Sequence, residues 1–145
     1  MRNLNQIFKF NLLALVALSV VVLSSCKDEG GDPIEPSPSA YQGAFILNEG
    51  GFLKGNASID FYSRSEAKLT QNLFSNINSR PLGDVFQSMN KANGNYYLVV
   101  NNSSKIEVVN AETFKSVATI SNLGSPRFML IPSASNGSKA YVTDL

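Results

Sequence analysis

Hydrophobic and polar positions follow two different patterns along the chain. Residues 12–23 form an apolar run of 12 residues in which Ser19 is the only polar one. From Tyr41 onward, apolar runs of four to six residues, rich in Val, Ile, Tyr and Phe, alternate with short stretches of Gly, Asn and Ser. Runs of this kind predict β-strands, and no stretch after residue 25 keeps a helical period. The pattern predicts an all-β fold for residues 41–145.

The predicted strands repeat. They are residues 44–47, 58–62, 86–90, 96–100, 105–109, 115–120, 128–131 and 139–143. Residues 58–62 align with 105–109 at an offset of 47, and residues 45–48 align with 98–101 at an offset of 53. The larger offset reflects a loop before Ile59 that is six residues longer than the one before Ile106. Four-strand repeats of about 40–45 residues are typical of β-propeller blades.

The predicted fold is a β-propeller of four-stranded antiparallel blades, incomplete in this chain. Residues 41–145 supply two blades, and a third begins near Tyr141. A propeller ring needs at least about four blades. We therefore expect this to be the N-terminal fragment of a longer protein. The alternative is a short chain that closes its ring by oligomerising.

The first 25 residues have the anatomy of an export signal. Arg2 and Lys9 precede the apolar run, and two small residues, Ser24 and Ser25, precede Cys26, the only cysteine. A basic start, a short apolar segment and small residues at the cut predict a secretory signal peptide, because spanning a bilayer would need ~20 apolar residues. The ending resembles the bacterial lipobox, which implies a signal peptide over residues 1–25 and lipidation of Cys26. An ordinary signal peptide with a chance cysteine is the alternative.

Residues 26–40 predict a disordered tether, since they are mostly Gly, Pro, Ser and acidic residues. Lys27, Asp28 and Glu29 follow Cys26 directly. This tract resembles the signal that sends some Gram-negative lipoproteins to the outer face of the outer membrane. We expect the protein to be lipid-anchored in the outer membrane and to face the cell exterior. The alternative is a plain charged linker.

Charge and cysteine content argue against a nucleic-acid-binding protein and against a fold stabilised by disulfide bonds. The sequence has 12 Lys and Arg and 11 Asp and Glu, and the residues after the signal carry 10 basic and 11 acidic side chains. No basic face is evident, so we expect no nucleic-acid partner. With one cysteine, no intrachain disulfide can form, and a hydrophobic core must stabilise the fold.

Two sets of motifs carry a family resemblance. Residues 97–110, followed by Thr113, Lys115 and Val117, resemble the YVTN-type β-propeller repeat, as do residues 141–144. Residues 48–50, 83–89 and 125–127 resemble a family of surface lipoproteins. That family includes cobalamin-capturing propellers that sit on TonB-dependent outer-membrane transporters. The resemblance implies capture of a ligand such as cobalamin for a transporter of this kind.

A loop-rich face is the predicted ligand site. Loops of an antiparallel meander alternate between two faces. With residues 86–90 and 128–131 as the axial strands, one face carries residues 48–57, 75–82, 102–104 and 121–127, and we call it the loop-rich face. Its candidate ligand-binding residues are Asn48, Glu49, Arg80, Asn101, Asn102 and Arg127. Such polar groups suit a polar, multidentate ligand, although Asn also serves turn geometry.

Arg80 and Arg127 are the strongest candidates for ligand binding. Each is next to a proline, Pro81 or Pro126, and these two prolines occupy matching positions in the repeat.

The sequence contains few of the residues that enzymatic catalysis would need. The chain has no histidine, so neither a Ser–His pair nor a histidine metal site can be built from it. Residues 50–55 have the glycine spacing of a P-loop, but Asn56 and Ala57 replace its Lys-Ser/Thr. We expect a non-enzymatic binding protein with no catalytic residue, metal or cofactor. The alternatives are a lactonase-type propeller hydrolase, with catalytic residues in the missing blades, and a structural or adhesive surface-layer protein.

Overall fold

A computed structural model describes residues 40–145 of the protein. The predicted signal peptide, Cys26 and nearly all of the predicted tether lie outside the described residues. The described part is mostly β. Its strands are β1 (Gly43–Asn48), β2 (Ser58–Ser63), β3 (Lys68–Thr70), β4 (Phe86–Ala92), β5 (Asn95–Val100), β6 (Lys105–Asn110), β7 (Ser116–Ile120), β8 (Met129–Leu130) and β9 (Tyr141–Val142).

The strands form three antiparallel sheets with the orders β1-β2-β3, β4-β5-β6-β7 and β8-β9. Every neighbouring pair is consecutive in the chain, as expected of a meander. Antiparallel sheets of three, four and two strands agree with the all-β prediction at the level of class. Sequence reasoning found eight of these strands but missed β3, which has only three residues.

Within residues 40–145, an α-helix, α1 (Leu73–Asn78), departs from the predicted all-β class. Its six residues are fewer than two turns, so no helical period can appear in the sequence. Left-handed residues, Asn72 and Ser79, bound it at φ values of 52° and 54°. Among the residues that the structure describes, no helix is both long enough and apolar enough to cross a membrane.

Strand pairing corrects the repeat alignment by one residue. Leu47 lies opposite Ile59 in the first sheet, and Val99 lies opposite Ile106 in the second. Since Ile59 and Ile106 are equivalent, β1 aligns with β5 at an offset of 52 rather than 53. The difference matters because a one-residue slip moves every side chain of a strand to the other face of its sheet.

The second sheet, formed by β4 to β7, is buried on both faces. Its first face packs against Ile59, Phe61 and the helix residue Phe74 in the larger core. Five aromatic rings meet in this core with centroids 5.0–5.9 Å apart: Tyr41, Phe45, Phe61, Tyr96 and Phe114. The second face packs against Met129 in a smaller core with Val99 and Ile106. Burial on both faces explains why β5 is almost continuously apolar.

The outer faces of the first and last sheets remain open. Exposed apolar residues of the first sheet include Ile46, Tyr62 and Leu69, and those of the last sheet include Leu130 and Tyr141. Soluble proteins seldom leave such apolar faces uncovered on two sides. Each face therefore has the surface properties of a sheet that packs against another.

Candidate functional site

The loops of the predicted loop-rich face are joined by hydrogen bonds. The N–H of Ala57 donates to Gly83 O at 3.1 Å, which ties the first long loop to the segment before β4. Asn101 Nδ2 donates to Pro126 O at 3.0 Å, and Ser104 Oγ donates to Gly124 O at 2.9 Å. These contacts join the loop before β2 to the segment before β4, and residues 101–104 to residues 124–126.

Asp84 is a buried acid at the centre of this loop cluster, with 8% of its surface exposed. Its Oδ2 accepts hydrogen bonds from Asn102 Nδ2 at 2.6 Å and from the N–H of Leu53 at 2.8 Å. The bond from Asn102 is the main cause of a pKa below the ordinary value for Asp84; burial opposes it, and the N–H groups of Leu53, Gly55 and Lys54 assist. Asp84 therefore holds the long loop against the second sheet.

Gly83 makes the approach to Asp84 possible. Its φ of 141° is unfavourable for residues with a side chain, and an added Cβ would lie 2.5 Å from Ser103 Oγ. Ser103 Oγ in turn accepts a hydrogen bond from the N–H of Asp84 at 2.9 Å. Sequence reasoning noted residues 83–89 for their family resemblance but missed the role of Asp84. The available signal was a lone acid directly after a glycine and before an apolar strand.

The three candidate asparagines all make hydrogen bonds within the fold. Asn48 Nδ2 donates to Ser58 Oγ and to Asp60 Oδ2, each at 3.1 Å. Asn101 donates to Pro126 O and Asn102 donates to Asp84, as described above. Their amides hold strands and loops together through hydrogen bonds, and none of the three adopts the positive φ that the turn-geometry alternative invokes.

Arg80 forms an ion pair with a buried acid, Glu107. Its guanidinium binds both carboxylate oxygens of Glu107, at 2.5 Å and 3.2 Å, and lies over the Phe74 ring at 5.0 Å. Glu107 is fully buried and also accepts hydrogen bonds from Lys105 Nζ at 3.0 Å and from Ser116 Oγ at 2.5 Å. Arg80 thus contacts β6 and β7, the two strands furthest from β4 in the second sheet.

The surroundings of Glu107 favour its charged form. Burial alone would raise its pKa, but the donors Arg80, Ser116 and Lys105, together with the charge of Lys105, lower the pKa from 4.5 to about 2. Sequence reasoning missed this residue, although an acid between the apolar residues Ile106 and Val108 of β6 was a visible signal. A charged group in such a strand needs partners, because burying an unpaired charge is very unfavourable.

Arg127 differs from Arg80, because its guanidinium makes no hydrogen bond or ion pair with any described residue and is exposed. Its backbone is nevertheless fixed: the N–H donates to Thr143 O at 2.9 Å, and the carbonyl accepts from Ser88 Oγ at 2.8 Å. Arg127 therefore presents a free cation from a fixed position beside β4. The two arginines do not occupy matching environments, although their spacing from the prolines suggested it.

Glu49 lies beside β4 as well. Its carbonyl accepts from the N–H of Phe86 at 3.3 Å, and its Oε1 accepts from Gln87 Nε2 at 2.7 Å. Together with the Ser88 contact of Arg127, this gives a polar row at the start of β4, formed by Glu49, Gln87, Ser88 and Arg127, which we call the β4 row. Among the described residues, no cluster of three or more potential metal ligands occurs.

Comparison with known proteins gives one positive result. No curated protein was found that matches this chain. The family described as "Domain of unknown function (DUF5074)" matches residues 42–144, which is nearly all of the part described above. The chain therefore belongs to the DUF5074 family.

Proposed function

We propose that residues 41–145 form part of a cell-surface β-propeller that captures a polar ligand through the β4 row. The propeller is supported by the repeat and by a difference between the first two sheets. Strand β5 pairs with β4 on one side and β6 on the other, whereas its equivalent, β1, pairs only with β2 in the described residues. A ring would place an axial strand beside β1 and further sheets on the two open apolar faces.

The proposed setting is the outer membrane, with the propeller facing the cell exterior. It rests on the sequence of the leader: a signal peptide over residues 1–25, lipidation of Cys26 and a tether over residues 26–40. A TonB-dependent transporter is the proposed partner, and cobalamin is the first ligand to test. Both come from the resemblance of residues 48–50, 83–89 and 125–127 to surface lipoproteins that include cobalamin-capturing members.

The free guanidinium of Arg127 is the single observation that carries the ligand-binding proposal. Arginine can donate up to five N–H groups, and none of them is used within the described residues. Hydrogen bonds from a charged donor to carboxylate, phosphate or amide oxygens are stronger than neutral ones. A corrinoid offers amide and phosphate oxygens, so it is a suitable partner for this side chain.

Calorimetric titration of the full-length protein with cobalamin tests the proposal. Arg127→Ala is expected to weaken binding about ten- to a hundredfold, since a hydrogen bond to a charged group contributes ~1.5–3 kcal/mol. Arg64→Ala is the matched control, because Arg64 is an exposed arginine in the turn between β2 and β3, outside the loop-rich face. This variant is expected to bind like the parent.

Two results would contradict parts of the proposal. If the parent gives no heat with cobalamin and is not retained on a corrinoid resin, cobalamin is the wrong ligand. If the parent binds and Arg127→Ala binds equally well, the ligand is right but the β4 row is not its site.

A further inference from the structure

A notch of about 200 Å³ lies among loops of the loop-rich face, and no residue of the β4 row lines it. One wall is the end of the long loop and the start of β2, at Asn56, Ala57 and Ser58. The other wall is formed by the start of α1, with Asn72 and Ser75, and by residues 81–82. Both walls are held in place, because the N–H of Ala57 is bonded to Gly83 and the N–H of Asn72 is bonded to Asp60 Oδ1 at 2.8 Å.

The lining of the notch is apolar at its base and polar but uncharged around it. Ile59, Phe74 and Leu82 line it and are almost completely buried. The polar residues of the lining are asparagines and serines, and no ionisable residue lines the notch. The nearest arginine in sequence, Arg80, is bound to Glu107 instead. The chemistry of the notch therefore suits a neutral ligand.

Much of the hydrogen-bonding capacity around the notch is unused within the described residues. The side-chain amide of Asn72 has no partner there, since the hydrogen bonds of this residue use its backbone N–H and carbonyl. Asn56 Oδ1 accepts from the N–H of Gly51 at 2.8 Å, which leaves its NH₂ group available. Ser58 Oγ accepts from Asn48, so its own proton is free to donate. Ser75 Oγ donates to Asn72 O and retains its acceptor capacity.

From these observations we propose that the notch binds one neutral sugar ring. A pyranose carries hydroxyls around its rim, which both donate and accept, and C–H groups on its faces, which fit an apolar base. A water molecule occupies ~30 Å³ in the liquid, so a notch of about 200 Å³ has room for a single ring. It is smaller than the ~300–1,000 Å³ of pockets for larger ligands, which argues against an extended chain of sugars inside it.

Two substitutions remove donors from the notch while preserving the fold. Asn72→Gly deletes the free amide, and glycine readily adopts the positive φ of 52° at this position. Asn56→Asp keeps the oxygen that accepts from the N–H of Gly51 and replaces the free NH₂ donor with a second carboxylate oxygen, which only accepts. Asn76→Ala is the control, because Asn76 is an exposed asparagine of α1 whose amide donates to Gln71 O and which does not line the notch.

The experiment is an NMR titration of the isotope-labelled full-length protein with glucose, galactose, mannose and N-acetylglucosamine. At least one sugar is expected to shift the backbone amides of Ala57, Ser75 and Leu82 in a saturable manner. Asn72→Gly and Asn56→Asp should each weaken that binding about fivefold, the effect of one neutral hydrogen bond. Asn76→Ala should bind like the parent, and glucuronate should bind more weakly than glucose to the Asn56→Asp variant.

The proposal is overturned if no sugar shifts these amide signals in the folded parent protein, with each sugar added up to its own solubility limit. It is also overturned if both notch variants bind as tightly as Asn76→Ala, since the sugar would then lie elsewhere. Neither result depends on cobalamin or on Arg127, so the two sites succeed or fail separately.

Discussion

Arg80 and Arg127 show two uses of the same side chain in two regions of the molecule. At β6 and β7, Arg80 lies over Phe74 and binds the fully buried Glu107 of β6. Beside β4, Arg127 is fixed through its backbone to Thr143 and Ser88 while its guanidinium stays free of partners among the described residues. The first arginine serves the fold, and the second remains available for a ligand.

This difference could not be read from the local sequence. Both arginines adjoin a proline ahead of a strand that the sequence predicts to be axial, and that similarity made them equal candidates. What separates them is Glu107, which follows Arg80 by 27 residues and reaches it only through the packing of the second sheet. A candidate cation is therefore better judged by its partners than by its position in a repeat.

The largest expected effect concerns Glu107. Glu107→Gln keeps the size of the side chain but removes the charge that binds Arg80 and Lys105. A pKa lowered from 4.5 to about 2 corresponds to about 3 kcal/mol of folding stability at neutral pH. Urea unfolding of the full-length protein, followed by circular dichroism, measures it. Glu66→Gln, in an exposed turn, is the control. A loss below about 1 kcal/mol would mean that desolvation cancels the ion pair.

The sequence predicted the mostly β class and most strands, because alternation and turn residues act locally. It missed β3 and α1, which are too short to show a period. It placed β1 one residue out of register with β5, since register depends on which side of the strand packs in the core. It also missed Asp84 and Glu107, whose partners Leu53 and Arg80 lie 31 and 27 residues away along the chain. Those contacts exist only after the sheets have stacked.

Acidic pH should reduce the contribution of the Arg80–Glu107 pair to folding stability. The folded pKa of Glu107 is below its unfolded value, so its contribution is complete above about pH 4.5 and is lost as the pH falls towards about 2. We expect the free energy of unfolding to fall by about 2 kcal/mol from this group between pH 7 and pH 3. Glu107→Gln should lack this part of the decrease, and the depressed pKa of Asp84 acts in the same direction in both proteins. Parallel pH profiles for parent and variant would contradict the assignment.

The smallest expected effects on the free energy of unfolding are those of two single variants, Arg80→Ala and Arg127→Ala. Arg80→Ala removes one partner of Glu107 but leaves Lys105, Ser116 and Thr119 in contact with its carboxylate. Because the side chain of Arg80 is 40% exposed, solvent screening reduces its contribution, and we expect a loss of about 1–2 kcal/mol. Arg127→Ala should change the unfolding free energy by less than about 0.5 kcal/mol, as is usual for an exposed side chain without partners. Urea denaturation of both variants gives the comparison directly. Equal losses for the two would show that Arg127 also serves the fold, and would remove the reason for treating it as the free cation of the β4 row.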